Sequence, residues 1–259
     1  MMPMSVSLGP AALAVYSRRL IVLGTLIFLL LVGWTVWSGW QRQYAEELNL
    51  AQQRVHESAI HLKAIIKAAT DHLTQLHHWA TRFPDHAPYA GAHELSTAMN
   101  DAIKASRNSE FTLDALSALP AEQRLGQMLA LTKGHRPRPD GRPTPMDLGL
   151  SLLGRMDAAR RTSPFLRWSF FFAADRTLLA VTPWASRRDM LGEETSMQGF
   201  LERSWTYDIT VYGLPENNPQ RRSYWTPAYP DQAGAGLMVS HGAPVYWVDE
   251  FVGVVGTDV

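Results

Sequence analysis

Between Arg19 and Arg42 the chain carries 22 consecutive residues without a charge, and positions 20–37 read LIVLGTLIFLLLVGWTVW. Wound as a helix, that stretch is roughly 33 Å long, about one bilayer core. A soluble helix this apolar would have to be buried on every side, which a chain of 259 residues, room for one or two domains, can hardly arrange. Residues 20–41 are therefore read as a transmembrane helix. Trp34, Trp37 and Trp40 crowd its C-terminal end, where amphipathic rings settle among headgroups, and Arg18 and Arg19 precede it. That asymmetry predicts a cytoplasmic tail over 1–19 and an extracytoplasmic remainder, with the chain in the inner (plasma) membrane. A cleaved signal peptide would have a shorter apolar core and a small-x-small site, whereas Trp-Ser-Gly-Trp-Gln follows here.

Lys plus Arg and Asp plus Glu are equal at 24 each, with no basic run interleaved with aromatics, so nucleic acid is not an expected partner. The absence of cysteine removes disulfides, thiolate metal sites and cysteine nucleophiles.

From Tyr44 to about Arg82 neither Pro nor Gly interrupts the chain, and apolar residues recur at Val55, Ala59, Leu62, Ile66, Ala69, Leu73, Leu76 and Ala80. Spacings that alternate four and three form a heptad-like stripe, predicting a long helix over 42–82 that ends before Phe83-Pro84. The stripe can pack on its own domain, form a dimer seam, or do both along different parts of one helix. The same helix carries His56, His61, His72, His77 and His78. His56 and His61, like His72 and His77, are five apart and diverge by about 140°, so the zinc-protease pattern is absent and a solvated or pH-responsive face is the reading.

Residues 84–163 mix a Pro/His/Gly loop near 84–93, short helical runs and a basic Pro-rich loop, KGHRPRPDGRPTP, over 133–145. Beyond Ser163 the pattern turns to strands. LRWSFFF (166–172) and TLLAVT (177–182) flank a turn, and further strands are expected at 207–212, 224–229, 236–241, 244–248 and 251–259. A long helix before a meandering antiparallel sheet is an α+β plan.

The C-terminal stretch YWTPAYPDQAGAGLMVSHGAPVYWVDEFVGVVGTDV, 224–259, resembles the Cache (PDC-like, double-Cache type) family of extracytoplasmic sensor domains. In that family a Tyr-x-Asp strand end leads through a small-residue turn to two paired strands closing in Gly-x-x-Gly-x-Asp. The resemblance spans roughly 43–259, with its distinctive residues in 165–259. It implies a PAS-like antiparallel sheet packed on a long N-terminal helix, with 83–259 as the sensor domain, a membrane-distal lobe ending before a second one. It also implies an output domain outside this chain, of histidine kinase, diguanylate cyclase or chemoreceptor type. The amino-acid-binding subset has an Arg-x-Trp-Tyr run, matched here by Arg222, Tyr224 and Trp225 with the aromatics exchanged. Its Tyr-x-Asp falls on Tyr229 and Asp231, its terminal Asp on Asp258, and a Tyr five residues before the Arg is Asn217 here. A guanidinium can fork a carboxylate, two carboxylates can hold an ammonium, and aromatic walls exclude water. Trp205 and Tyr207, with Trp168 and Trp184, are further wall candidates.

The reading is thus a small-molecule sensing module of a membrane receptor, taking an amino acid, amine or carboxylate and needing no cofactor. Its other partners are the lipid bilayer and a second copy in a homodimer. A membrane-anchored scaffold without ligand is the alternative, and a membrane-anchored hydrolase ranks below it. A hydrolase needs a nucleophile beside its base, but Ser240 and His241 adjoin on a strand and so point to opposite faces.

Overall fold

The computed structural model describes residues 10–90, 110–131, 143–194, 196–231 and 236–259. Helix α1 runs Pro10–Ala90. The chain divides into two compact units, Met1–Leu62 and Lys63–Val259. In the first, the described residues form only helix, and their apolar side chains from Leu20 to Trp37 are exposed. This is the one described helix long and apolar enough to cross a membrane. Trp37, Trp40 and Tyr44 form a ring ladder along it, with centroids 5.8 and 6.1 Å apart.

The second unit is built on a seven-stranded antiparallel sheet in the order β1-β2-β4-β3-β9-β8-β5. Its strands are β1 Glu110–Thr112, β2 Gln127–Leu131, β3 Trp168–Ala173, β4 Leu178–Thr182, β5 Tyr224–Trp225, β8 Ser240–Trp247 and β9 Glu250–Asp258. A two-stranded ribbon, β6 Tyr229–Pro230 with β7 Leu237–Met238, stands apart. The helices are α2 Pro145–Thr162, α3 Arg187–Leu191, α4 Met197–Ser204 and α5 Asp208–Val211. The α+β plan is as expected. The basic Pro-rich loop lies outside the described residues up to 142, and so do residues 91–93 of the expected 84–93 loop, whose residues 84–90 are helical instead.

Both faces of the sheet are covered, so the alternation of side chains sorts its core into two. Phe171, Ala173, Met128, Ala130, Leu178, Ala180, Ala243, Val245 and Val255 meet Leu73, Leu76, Ala80 and Phe83 of α1 and Leu148, Leu152 and Met156 of α2. Phe170, Phe172, Leu129, Leu179, Val181 and Val254 meet Leu191, Met197, Phe200, Leu201, Trp205 and Ile209 of the short helices. The C-terminal half of the stripe on α1 is therefore core, whereas Val55, Leu62 and Ile66 remain 70%, 57% and 44% exposed.

Two local features depart from the sequence expectation and a third goes beyond it. First, α1 passes through Pro84 rather than stopping before it. A proline has no N–H for the carbonyl four residues back. That carbonyl, of Ala80, instead accepts from Trp247 Nε1 at 2.9 Å, and Phe83 stacks on the same indole. Second, the expected strand at 207–212 is the one-turn helix α5, which buries Ile209 against the sheet. Third, β8 and β9 slip register between Val245 and Tyr246, leaving Val252 unpaired. At the bulge Gly253 has φ 156°, and a Cβ there would sit 2.0 Å from the Phe172 carbonyl oxygen.

Candidate functional site

The bulge decides what the end of the sheet can do. Without the extra residue, Ser240 would face Thr257 and the two polar side chains Ser240 and Asp258 would lie on opposite faces. With it, Ser240 pairs with Asp258, Asp258 pairs with Trp168, and all three share the face covered by α3, α4 and α5. Tyr229 reaches the same place from β6. Its hydroxyl bonds Ser240 Oγ at 2.7 Å, and Ser240 Oγ donates to Asp258 Oδ1 at 2.7 Å.

Asp258 is only 6% exposed. Burial pushes its carboxyl up to about 7, reinforced by the nearby Asp231 and opposed by the hydrogen bonds from Ser240 and Tyr229. Burial likewise raises the Tyr229 phenol, with Asp258 and Asp231 adding to it. Among the described residues no Lys, Arg or His forms an ion pair with Asp258. The site is therefore an acidic pair beside a phenol and a hydroxyl, with half-buried Trp168 next in the sheet.

The other residues singled out in the sequence distribute elsewhere. Tyr224 shares this face but is committed to it structurally: its hydroxyl donates to the Ile209 carbonyl at 2.5 Å. Its ring lies over Gly242, and Phe170 lies over Gly256, so the sheet between them is floored by glycine and covered by side chains. Trp205 is buried in the same cluster, edge-on to Phe251, and Tyr207 packs at its margin. Trp225 points to the α1 face, where it stacks on His241 at 4.2 Å and 2°. Arg222 is exposed, its backbone tied to Asn218. Tyr224, which pairs with Gly242, is the first residue of β5, and Arg222 precedes that strand. Trp184 donates to the Leu113 carbonyl at 3.1 Å, away from the site.

Tyr229, Asp231 and Asp258 are thus brought together, joined by Ser240, which sequence reasoning weighed only as a nucleophile. Ser240 and His241 do point to opposite faces. Among the described residues no group of three or more metal-ligating side chains converges.

No protein-family profile matches the chain, and no characterised protein matches it in sequence. Solved structures do. The ligand-binding domain of the Pseudomonas fluorescens chemoreceptor CtaA, solved with L-serine, is 17% identical over 54% of this chain and 46% of its own, with a TM-score of 0.32. That of the Campylobacter jejuni chemoreceptor Tlp3, solved with 4-methylisoleucine, is 14% identical over 76% of this chain and 59% of its own, with a TM-score of 0.30. The chain spans about half the length of these domains. Both are ligand-binding domains of chemoreceptors.

Proposed function

We propose that the chain is the sensing part of a single-pass membrane receptor and that it recognises a small molecule through an ammonium group at the Asp258 end of the sheet. The observation that carries this reading is the buried carboxyl of Asp258, which has Asp231 beside it and no cationic partner among the described residues. A ligand ammonium would supply that missing charge while Tyr229, Ser240 and Trp168 complete its surroundings. An acidic site favours amines, or amino acids held by their amino end, over simple carboxylates, and Arg222, exposed just before β5, remains a candidate for a ligand carboxylate. Tyr224, Trp205 and Tyr207 support the site as packing rather than as contacts, and Trp225 belongs to the other face of the sheet.

In this reading residues 1–19 are cytoplasmic, 20–41 cross the membrane, 42–82 form the emerging helix, and 83–259 form an extracytoplasmic Cache-like sensor. The exposed Val55, Leu62 and Ile66 on α1 suit pairing with a second copy. The output domain and receptor type would belong to a longer protein.

Thermal-shift measurements on the full chain in nanodiscs, against amines, amino acids and amine-free carboxylates, test the reading. Stabilisation by the first two classes, abolished in Asp258→Asn, is expected. Stabilisation by carboxylates alone, by nothing, or equally in Asp258→Asn would sink it. Disulfide cross-linking of Leu62→Cys within the membrane tests the pairing, which fails if only monomer is trapped.

A further inference from the structure

The helix face of the sheet carries a feature that ligand recognition does not use. Trp225, His241, Thr257, Ser169 and Thr182 are consecutive cross-strand partners from β5 through β8, β9 and β3 to β4. All but Trp225 are buried, so a polar row crosses the sheet at the end where α1 first meets it. Elsewhere the seam beneath α1 is apolar.

The hydrogen bonds in this row have one consistent direction. Thr257 Oγ1 donates to the Trp168 carbonyl at 2.9 Å, so it must accept from Ser169 Oγ at 3.2 Å. Ser169 has then spent its only hydrogen and must accept from His72 Nε2, 2.9 Å away on α1. His72 therefore carries a proton on Nε2, and its burial disfavours a second one. Three residues before His72, Ala69 adjoins His241, whose Nδ1 is buried with no hydrogen-bond partner. Farther along α1, His77 Nε2 donates to the Pro244 carbonyl on β8 at 3.0 Å. Two imidazoles of the helix, His72 and His77, each tie α1 to the sheet with a single N–H, and a third, His241 of the sheet, is buried beneath the helix.

We propose that this seam is an acid-sensitive joint: neutral His72, His77 and His241 hold the 69–80 segment of α1 against β3 and β8, and their protonation releases it. A second proton would have to enter a buried ring without a counter-charge. The charged and titratable groups nearby do not offer one. Lys67 and Asp71 pair with each other on the exposed side of α1, and His78 lies beside His77. Asp258 and Asp231 sit on the other face of the sheet. From β3, β9 and β5 the rings meet Ser169, Thr257 and Trp225, none of which accepts a proton. Stacking on Trp225 gives His241⁺ some cation–π compensation, but burial outweighs it.

Burial lowers His72 to about 4 and lowers His77 and His241 as well. The sign follows. Released rings titrate near their ordinary 6.5 and seated rings below it, so between 6.5 and about 4 the released state binds more protons. The joint is closed above pH 6.5 and loosens as pH falls, by up to about tenfold per pH unit for each fully buried histidine. Because α1 is also the helix that holds the apolar span, external acidity would act on the sensor without any ligand. The inference is independent of the ammonium site, which lies on the opposite face.

Hydrogen–deuterium exchange of the full chain in nanodiscs, followed over 69–80 of α1 from pH 7.5 to 4.5 and corrected for intrinsic exchange, tests it. Opening of that segment should increase at least tenfold across the range, and His72→Asn with His241→Asn should remove most of the increase. A flat wild-type profile overturns the proposal, as does an unchanged slope in the double variant. Should the variant fail to fold, ring-carbon NMR of wild-type histidines decides: His72 titrating near 6.5 overturns the joint, and His72 titrating well below supports it.

Discussion

The two faces of the sheet are buried to a similar depth but bury opposite chemistry. The α1 face holds bases, His72 and His241, each forced neutral by burial. The opposite face holds an acid, Asp258, whose carboxyl burial drives up to about 7. Both are costs taken at one end of a sheet that is otherwise well packed, and they respond to acidity in opposite senses. A base lowered on folding makes the fold less stable as pH falls from 6.5. An acid raised on folding makes it less stable as pH rises from 3.8 through about 7. Buried ionisable groups without a counter-charge are seldom kept for stability, and in the proposed reading each face has its own input, a proton on one and a cation on the other.

The largest expected effect tests whether the shared strand is the core of both. Phe171 is fully buried on the α1 side, and Phe171→Ala should cost about 3–5 kcal/mol in chemical denaturation. A loss under about 1 kcal/mol would mean that the α1 face is not a packed interior.

Asp258→Asn separates the faces next. Removing a carboxyl raised from 3.8 to about 7 should stabilise the chain by on the order of 4 kcal/mol at pH 8 and by almost nothing at pH 4. Stability measured against pH would then retain only the histidine slope. If the variant is no more stable than wild type at pH 8, Asp258 is not held against its ionisation.

Gly242→Val probes the covered floor of the acidic face. Its Cβ would lie 2.4 Å from Ile209 Cδ1 and 2.9 Å from the Tyr224 ring, for a cost of about 1–3 kcal/mol. Substitution at no cost would show that α5 and Tyr224 yield readily, and that this face opens with ease.

How far the sequence reaches differs between the same two faces. The apolar span, the α1 stripe and the hairpin strands are strong periodic signals, and they predict the helix face well. Asp258, Asp231 and Tyr229 were legible because motif spacing survives folding. Their connection through Ser240 was not, since it depends on an unpaired Val252, and a one-residue slip inverts every side chain beyond it. Trp225 and Tyr224 looked equivalent as neighbours in a pocket, yet strand alternation sends them to opposite faces. The 207–212 stretch, rich in β-branched and aromatic residues, reads as a strand. Packing of Ile209 over Gly242 selects a helical turn instead, a tertiary preference that local propensity cannot register. The helix histidines were read as a solvated or responsive face, but only His56, His61 and His78 are exposed. Nothing in a five-residue offset distinguishes an imidazole that meets the sheet from one that meets water.

The smallest effects bound the proton input. Trp225 is 36% exposed and closes the stack over His241, so Trp225→Ala should cost about 1 kcal/mol. By admitting water it should move the His241 titration upward toward its ordinary value and flatten part of the acid response. Lys67→Ala is the control on the same helix. Its pair with Asp71 is exposed on both sides, so the loss should stay below about 0.5 kcal/mol with the pH slope unchanged. If Lys67→Ala altered the slope as much as Trp225→Ala, the acid response would come from charges on the outer side of α1, and the contrast between the two faces of the sheet would not be its source.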